Sequence, residues 1–120
     1  MEINLFNDAS LAPQPKSKIR IEEFHVSPYA DRFRVKVNLK LTPFLERPNL
    51  VITARRSDGL QVSDLDVIAT MHYENEFTMH IRGVEDPAGA YSLSAELYYE
   101  TRDPPQDSRR VDFVIPAEDA

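Results

Sequence analysis

Three histidines and one pair of carboxylates are the residues of this chain whose types suit chemistry: His25, His72 and His80, with Glu74 and Glu76 between the last two. A histidine metal site needs its donors within about 2.0–2.2 Å of one ion. On a continuous strand rising ~3.3 Å per residue, His72 and His80 stand more than ~20 Å apart and cannot share a metal. A hairpin through residues 73–76 would bring them together, with Glu74 or Glu76 as a further ligand; surface histidines without a role are the ordinary alternative. Glu74 and Glu76 on one strand face have Cβ atoms ~6–7 Å apart, near the spacing of carboxylate pairs in glycoside hydrolysis. That chemistry also needs a cleft, environments that push the two pKa values apart and a stacking platform, and the chain has no Trp. A metal-dependent or carboxylate enzyme using His72, Glu74, Glu76 and His80 is therefore the alternative function rather than the first.

Other catalytic constellations are missing from the sequence. With no Cys there is no disulfide framework, thiolate metal site or cysteine nucleophile. Neither G-x-x-x-x-G-K nor G-x-G-x-x-G occurs, and Ser17, Ser27, Ser57 and Ser108 lack a G-x-S-x-G context. The expectation is a non-enzymatic protein with no catalytic residue, metal or cofactor.

The 120 residues suit one domain that holds a core without staples. The longest apolar run is a few residues, and Met1-Glu2-Ile3-Asn4 has no basic start before an apolar stretch. A cytoplasmic protein with neither a membrane span nor a secretory signal is expected. The net charge of −6 argues against nucleic acid and anionic membranes as partners. Residues 1–60 carry 10 basic and 7 acidic side chains, a balance of +3, whereas residues 61–120 carry 4 and 13, a balance of −9.

The elements that must position these residues are strands. Residues 1–17, with Leu5 and Phe6 among polar residues and prolines, read as an arm, residues 18–116 as the domain, and residues 117–120 as an acidic tail. From Lys18 the apolar period is 2, the mark of strands with one buried face. Ile19 and Ile21 lose phase at Glu22-Glu23 before Phe24 and Val26, which predicts an edge strand with a bulge. Phe33, Val35, Val37, Leu39 and Leu41 then share one parity, as do Leu50, Ile52 and Ala54, and Leu65 with Val67 in a weaker strand. Met71, Tyr73, Phe77, Met79 and Ile81 predict either one strand over about 70–82 or a hairpin at Glu74-Asn75, and the single strand is preferred. Tyr91 to Tyr99 and Val111 to Ile115 complete seven strands, with turn residues between them and no helix. Such a series predicts an antiparallel sandwich.

At Asp86-Pro87-Ala88-Gly89-Ala90-Tyr91-Ser92-Leu93 the sequence resembles immunoglobulin-like and fibronectin-type-III-like domains: an Asp and a Gly at a turn, then a Tyr early in the sixth strand. The resemblance implies an all-β, seven-stranded antiparallel immunoglobulin-like β-sandwich in which Tyr91 forms the tyrosine corner. Leu93 stands where an antibody domain has its second Cys, and the third strand has no Trp. A cysteine-free relative is implied, and such a fold does not name a function.

The same topology would put the first, second and fifth strands in one sheet, with Arg20, Arg34, Lys36, Lys40, His80 and Arg82 on its outer face. The other sheet would show Glu96, Glu100 and Asp112. A small anionic ligand on Arg34, Lys36 and Arg82 is a further reading, opposed by neutralisation in place through Glu22, Glu74 and Glu76. Two features point instead to a protein partner or to self-association, for example as a homodimer. Tyr98 sits on the polar parity of its strand, and with Val51 and Val114 it would form an apolar outer strip, unless Leu5 and Phe6 cover it. The loop holding Arg102, Asp103, Pro104 and Pro105 is the second candidate, because loops at sandwich ends are presented by a rigid scaffold.

Overall fold

Strict alternation of apolar and polar residues produces seven strands in the computed structural model, which describes residues 12–118. They are β1 (Ile21–Pro28), β2 (Arg34–Leu41), β3 (Asn49–Arg56), β4 (Gln61–Val67), β5 (Glu74–His80), β6 (Gly89–Tyr98) and β7 (Asp107–Ile115). They form a three-stranded sheet, β1-β2-β5, and a four-stranded sheet, β4-β3-β6-β7, antiparallel throughout. The first, second and fifth strands thus share a sheet, as the resemblance implies, and β4 is an edge of the other.

The core lies between the sheets. Val35, Val37, Leu39 and Leu41 of β2 meet Leu50, Ile52 and Ala54 of β3 and Leu93, Ala95 and Leu97 of β6, all of them at most 2% exposed. Each large aliphatic side chain so buried contributes about 1.5–3 kcal/mol relative to exposure. The predicted bulge is present: the register passes from Ile21↔Leu41 to Glu23↔Lys40, leaving Glu22 as the extra residue.

Three expectations change. Residues 74–80 form one strand without a hairpin, but the strand does not extend back to 70. Residues 68–73 carry the chain from one sheet to the other, which consumes their backbone groups: Ala69 N donates to Asn49 Oδ1 at 2.8 Å and Thr70 N to the Pro48 carbonyl at 2.9 Å. Met71 therefore sits 65% exposed instead of facing inward. Phe33 likewise falls just before β2 and is 40% exposed, because Arg32 takes a positive φ of 68° that breaks the alternation.

Leu5 and Phe6 of the expected arm lie outside the described residues, as do the last two residues of the expected tail. From residue 12 the chain runs along the sandwich: Gln14 bridges Phe44, Lys16–Lys18 make a 3₁₀ turn, and Ile19 is fully buried.

Candidate interaction surfaces

The outer face of the large sheet is a grid fixed by strand register. One row runs Asp66, Val51, Glu96, Ser108, and the next Asp64, Thr53, Ser94, Arg110. Arg55, Ser92 and Asp112 form the third, and Ala90 with Val114 the fourth. Asn49 and Tyr98 pair beyond the first row. The proposed strip of Val51, Tyr98 and Val114 is not contiguous on this grid. Val51 pairs with Glu96 and Val114 with Ala90, six residues apart on β6, which is ~20 Å along the strand. Parity placed all three on one face but says nothing about rows.

Val51 is also not accessible, being only 5% exposed. Its neighbours on the face are Asp66 and Glu96, and Arg102 reaches back from the following loop to donate Nε to Glu96 Oε1 at 2.9 Å. That bond to Glu96 holds the Arg102 guanidinium above its ordinary value. Tyr98 is half-buried, while Val114 is 65% exposed at the opposite end of the face.

The sequence reading missed the apolar residues at the Tyr98 end. Ile68 directly follows β4 and precedes Ala69, whose N–H donates to Oδ1 of Asn49, the partner of Tyr98, and Ile68 is 69% exposed. Leu45, in the loop between β2 and β3, is 71% exposed, and Met71 lies in the loop that contains Ile68. Those two loops are joined by the bond from Thr70 N to Pro48, and beneath them the rings of Phe44 and Tyr73 meet edge to face at 4.8 Å. The period-2 pattern carried a signal for Ile68, which shares the parity of Asp64 and Asp66. None existed for Leu45.

The 99–106 loop completes this end. Tyr99 Oη donates to the Glu46 carbonyl at 2.9 Å, and Asn49 Nδ2 donates to the Tyr99 carbonyl at 2.9 Å. Burial, with Glu46 nearby, pushes the Tyr99 phenol up to about 12. Gln106 Nε2 donates to the carbonyls of Lys16 and Ile19 at 2.8 and 2.9 Å, and so fastens the base of the loop to the chain preceding β1. Arg102, Asp103 and Pro104 are exposed and Pro105 is half-buried. At the opposite end Tyr91 Oη donates to the Pro87 carbonyl at 2.7 Å, the bond of a tyrosine corner.

The expected basic face of the small sheet is neutralised at Lys40 and Arg34. Lys40 stands between Glu23 and Glu74 and pairs with Glu23 at 3.8 Å. Arg34 pairs with Asp31 at 2.7 Å and lies over the Tyr29 ring at 4.3 Å. Glu23 takes the place expected of Glu22, because the bulge advances the register by one residue. Lys36 lies between Ser27 and Thr78, and Arg20 donates to the carbonyls of Ser17 and Ile19. Arg82 falls past the end of β5, where its N–H donates to the Val62 carbonyl. The three residues of the anionic-ligand reading are thus not convergent. Nor is the other face uniformly acidic, since Arg55, Arg102 and Arg110 alternate with Glu96 and Asp112, and Glu100 lies beyond β6.

Glu74 and Glu76 both face outward on β5, with His80 beyond them on the same parity and His72 before the strand. No turn folds His72 back towards His80. Among the described residues no three His, Asp or Glu side chains converge as metal ligands, and no helix is long and apolar enough to cross a membrane.

No family model matches the sequence, and no curated protein does. Solved structures do share its fold. A glycosyl hydrolase family 2 member from Bacteroides cellulosilyticus aligns with 81% of this chain at a TM-score of 0.59 and 14% identity. The β-glucuronidase of Bifidobacterium dentium, complexed with coumarin-3-O-glucuronide, aligns with 81% at 0.57 and 15%. The chicken interferon gamma receptor alpha chain aligns with 81% at 0.56 and 10%. The chain spans only 15% and 18% of the two glycosidases and 51% of the receptor chain. At these identities the likeness is one of fold: an all-β, seven-stranded antiparallel immunoglobulin-like sandwich.

Proposed function

We propose that this chain is a non-enzymatic protein-interaction module that docks a protein partner through the end of the sandwich built by residues 42–48, 68–73 and 99–106. The observation that carries this reading is the concentration of Leu45, Ile68 and Met71, exposed by 71, 69 and 65%, in two loops tied to each other by a backbone bond. Monomeric domains hide large apolar side chains where they can, and an exposed apolar group with polar surroundings is the anatomy of an interface. Tyr98, Arg102 and Asp103 supply the polar and aromatic margin. The scaffold beneath is stiff, since Gln106, Tyr99 and Asn49 fasten the loops, so docking there costs little ordering entropy. The fold neighbours are consistent with a module role, because in each of them this sandwich accounts for only part of a longer chain.

The test is Ile68→Arg combined with Met71→Arg, compared with the unaltered chain by light scattering after size exclusion at several concentrations, and by retention of proteins from the native cell extract. The double variant should melt with the parent while losing its oligomer or a retained protein. Identical association in both proteins would overturn the reading. Loss of an oligomer alone would identify a second copy as the partner.

A further inference from the structure

At the other end of the outer face, some 20 Å from Tyr98, β3, β6 and β7 enclose a shallow basin of ≈ 500 Å³, and this order of separation follows from the strand rise. Its floor is β6, whose outward residues Ala90 and Ser92 are small. Its walls come from the flanking strands: Arg55 stands on one side of Ser92 and Asp112 on the other, with Val114 beside Ala90. Two strand spacings separate the walls by ~10 Å, room for one small organic molecule over the serine. The volume falls within the ~300–1,000 Å³ typical of ligand pockets.

The charges around the floor differ in how firmly they are held. Arg56 gives Nε and Nη2 to the two oxygens of Asp58 at 3.1 and 2.6 Å, which fixes its guanidinium at the rim and leaves Nη1 uncommitted. Asp58 is itself held by the Leu60 N–H at 3.1 Å. Arg55 has no ion pair among the described residues. Arg110 pairs with Asp112 at 3.3 Å, but both side chains are mostly exposed, and pairs of that kind are weak. The uncommitted guanidinium of Arg55 thus stands on one side of Ser92 and the carboxylate of Asp112 on the other, with the loosely held Arg110 one row away beside Ser94.

The apolar part of the lining, Val114 and Ala90, discriminates among anions. A phosphate dianion would gain nothing from Val114, which is 65% exposed beside Ala90 on the outer face. A monoanion with an apolar body suits both halves of the basin. We propose that the basin binds small organic monocarboxylates, with Arg55 and the Ser92 hydroxyl on the carboxylate and the carbon skeleton laid on Val114 and Ala90. The site is independent of the docking end and holds or fails without it.

Two-dimensional ¹⁵N NMR of the full chain at constant ionic strength tests this, with benzoate, acetate and inorganic phosphate as probes. Benzoate should shift the amides of Ala90, Ser92 and Val114 along saturating curves at roughly millimolar concentration, a modest affinity fitting an open site. Acetate and phosphate should bind more weakly. Arg55→Gln, exposed and remote from the core, should keep the melting temperature and weaken benzoate about tenfold, the loss of one charge-assisted contact. Shifts that never saturate, that scatter over the molecule, or that persist unchanged in Arg55→Gln would overturn the site. Phosphate binding as tightly as benzoate would overturn its assignment to monocarboxylates.

Discussion

Replacing Tyr91 by Phe removes one oxygen atom and leaves the ring in place, which isolates the contribution of the corner bond. Tyr91 is 2% exposed, and its ring stacks on Phe113 with centroids 5.3 Å apart and planes inclined by 14°. Phenylalanine keeps that stack. What disappears is the 2.7 Å bond to the Pro87 carbonyl, and that oxygen is left in a buried residue without its donor. An intramolecular bond contributes about 0.5–1.5 kcal/mol net, and a buried acceptor left unsatisfied costs about 1–3 kcal/mol, so a loss near 2 kcal/mol is expected. For a domain of this length that lowers the melting temperature by roughly 6–10 °C. Urea unfolding should show the midpoint falling at constant slope, because the buried area barely changes. Tyr73→Phe is the control: its ring packs edge-on against Phe44, but its hydroxyl has no hydrogen-bond partner among the described residues. That change should stay within about 0.5 kcal/mol of the parent. Should Tyr91→Phe be no more costly than Tyr73→Phe, the corner does not hold the 81–88 loop against β6 and the reasoning fails.

Two further outcomes concern pH. The phenol of Tyr99 is pushed up to about 12, above its ordinary value of 10, so the folded chain keeps a proton that the unfolded chain has lost. Stability from this group is complete below pH 10 and disappears as pH rises through about 12; Tyr99→Phe should flatten that alkaline loss, read by thermal unfolding between those values. Asp58 is held at about 2 by Arg56 and by the Leu60 N–H, below its ordinary 3.8. Its contribution is present above pH 3.8 and lost as pH falls towards 2, and Asp58→Asn should remove that part of the acid dependence, a result absent if the Arg56 pair is not formed in solution.

The strands were legible because one buried face imposes a period of 2, and the bulge at Glu22 was legible because it breaks that period between Ile21 and Phe24. The partition into sheets followed from the resemblance around Asp86 to Leu93. Crossings between sheets were not legible. Met71 carries the right parity for the core, yet the backbone around it is committed to Asn49 and Pro48 and turns it outward. Arg32 similarly keeps the next residue, Phe33, out of the inward run that starts at Val35, and no neighbour in sequence announces its positive φ.

The candidate surface failed for a different reason. Alternation assigns a residue to a face, but a contiguous patch also needs the register between strands, and register depends on turn lengths and bulges spread over the whole sheet. Val51 and Val114 share a face but stand in its first and fourth rows; Ile68, just past β4, and Tyr98, on β6, are distant in sequence yet both adjoin the surroundings of Asn49. The charge pattern misled by the same logic. A half-chain balance of +3 against −9 suggests opposed faces only if each sheet draws its strands from one half, whereas β5 carries Glu74 and Glu76 into the sheet of β1 and β2, and β3 carries Arg55 between the acidic strands β4 and β6. Mixing the halves interleaves the two signs on the broad faces and leaves two local features, an apolar end at Leu45, Ile68 and Met71 and a guanidinium-lined basin around Ser92. Each is small, each lies where strands from both halves meet, and so each becomes visible only when the sheets are assembled.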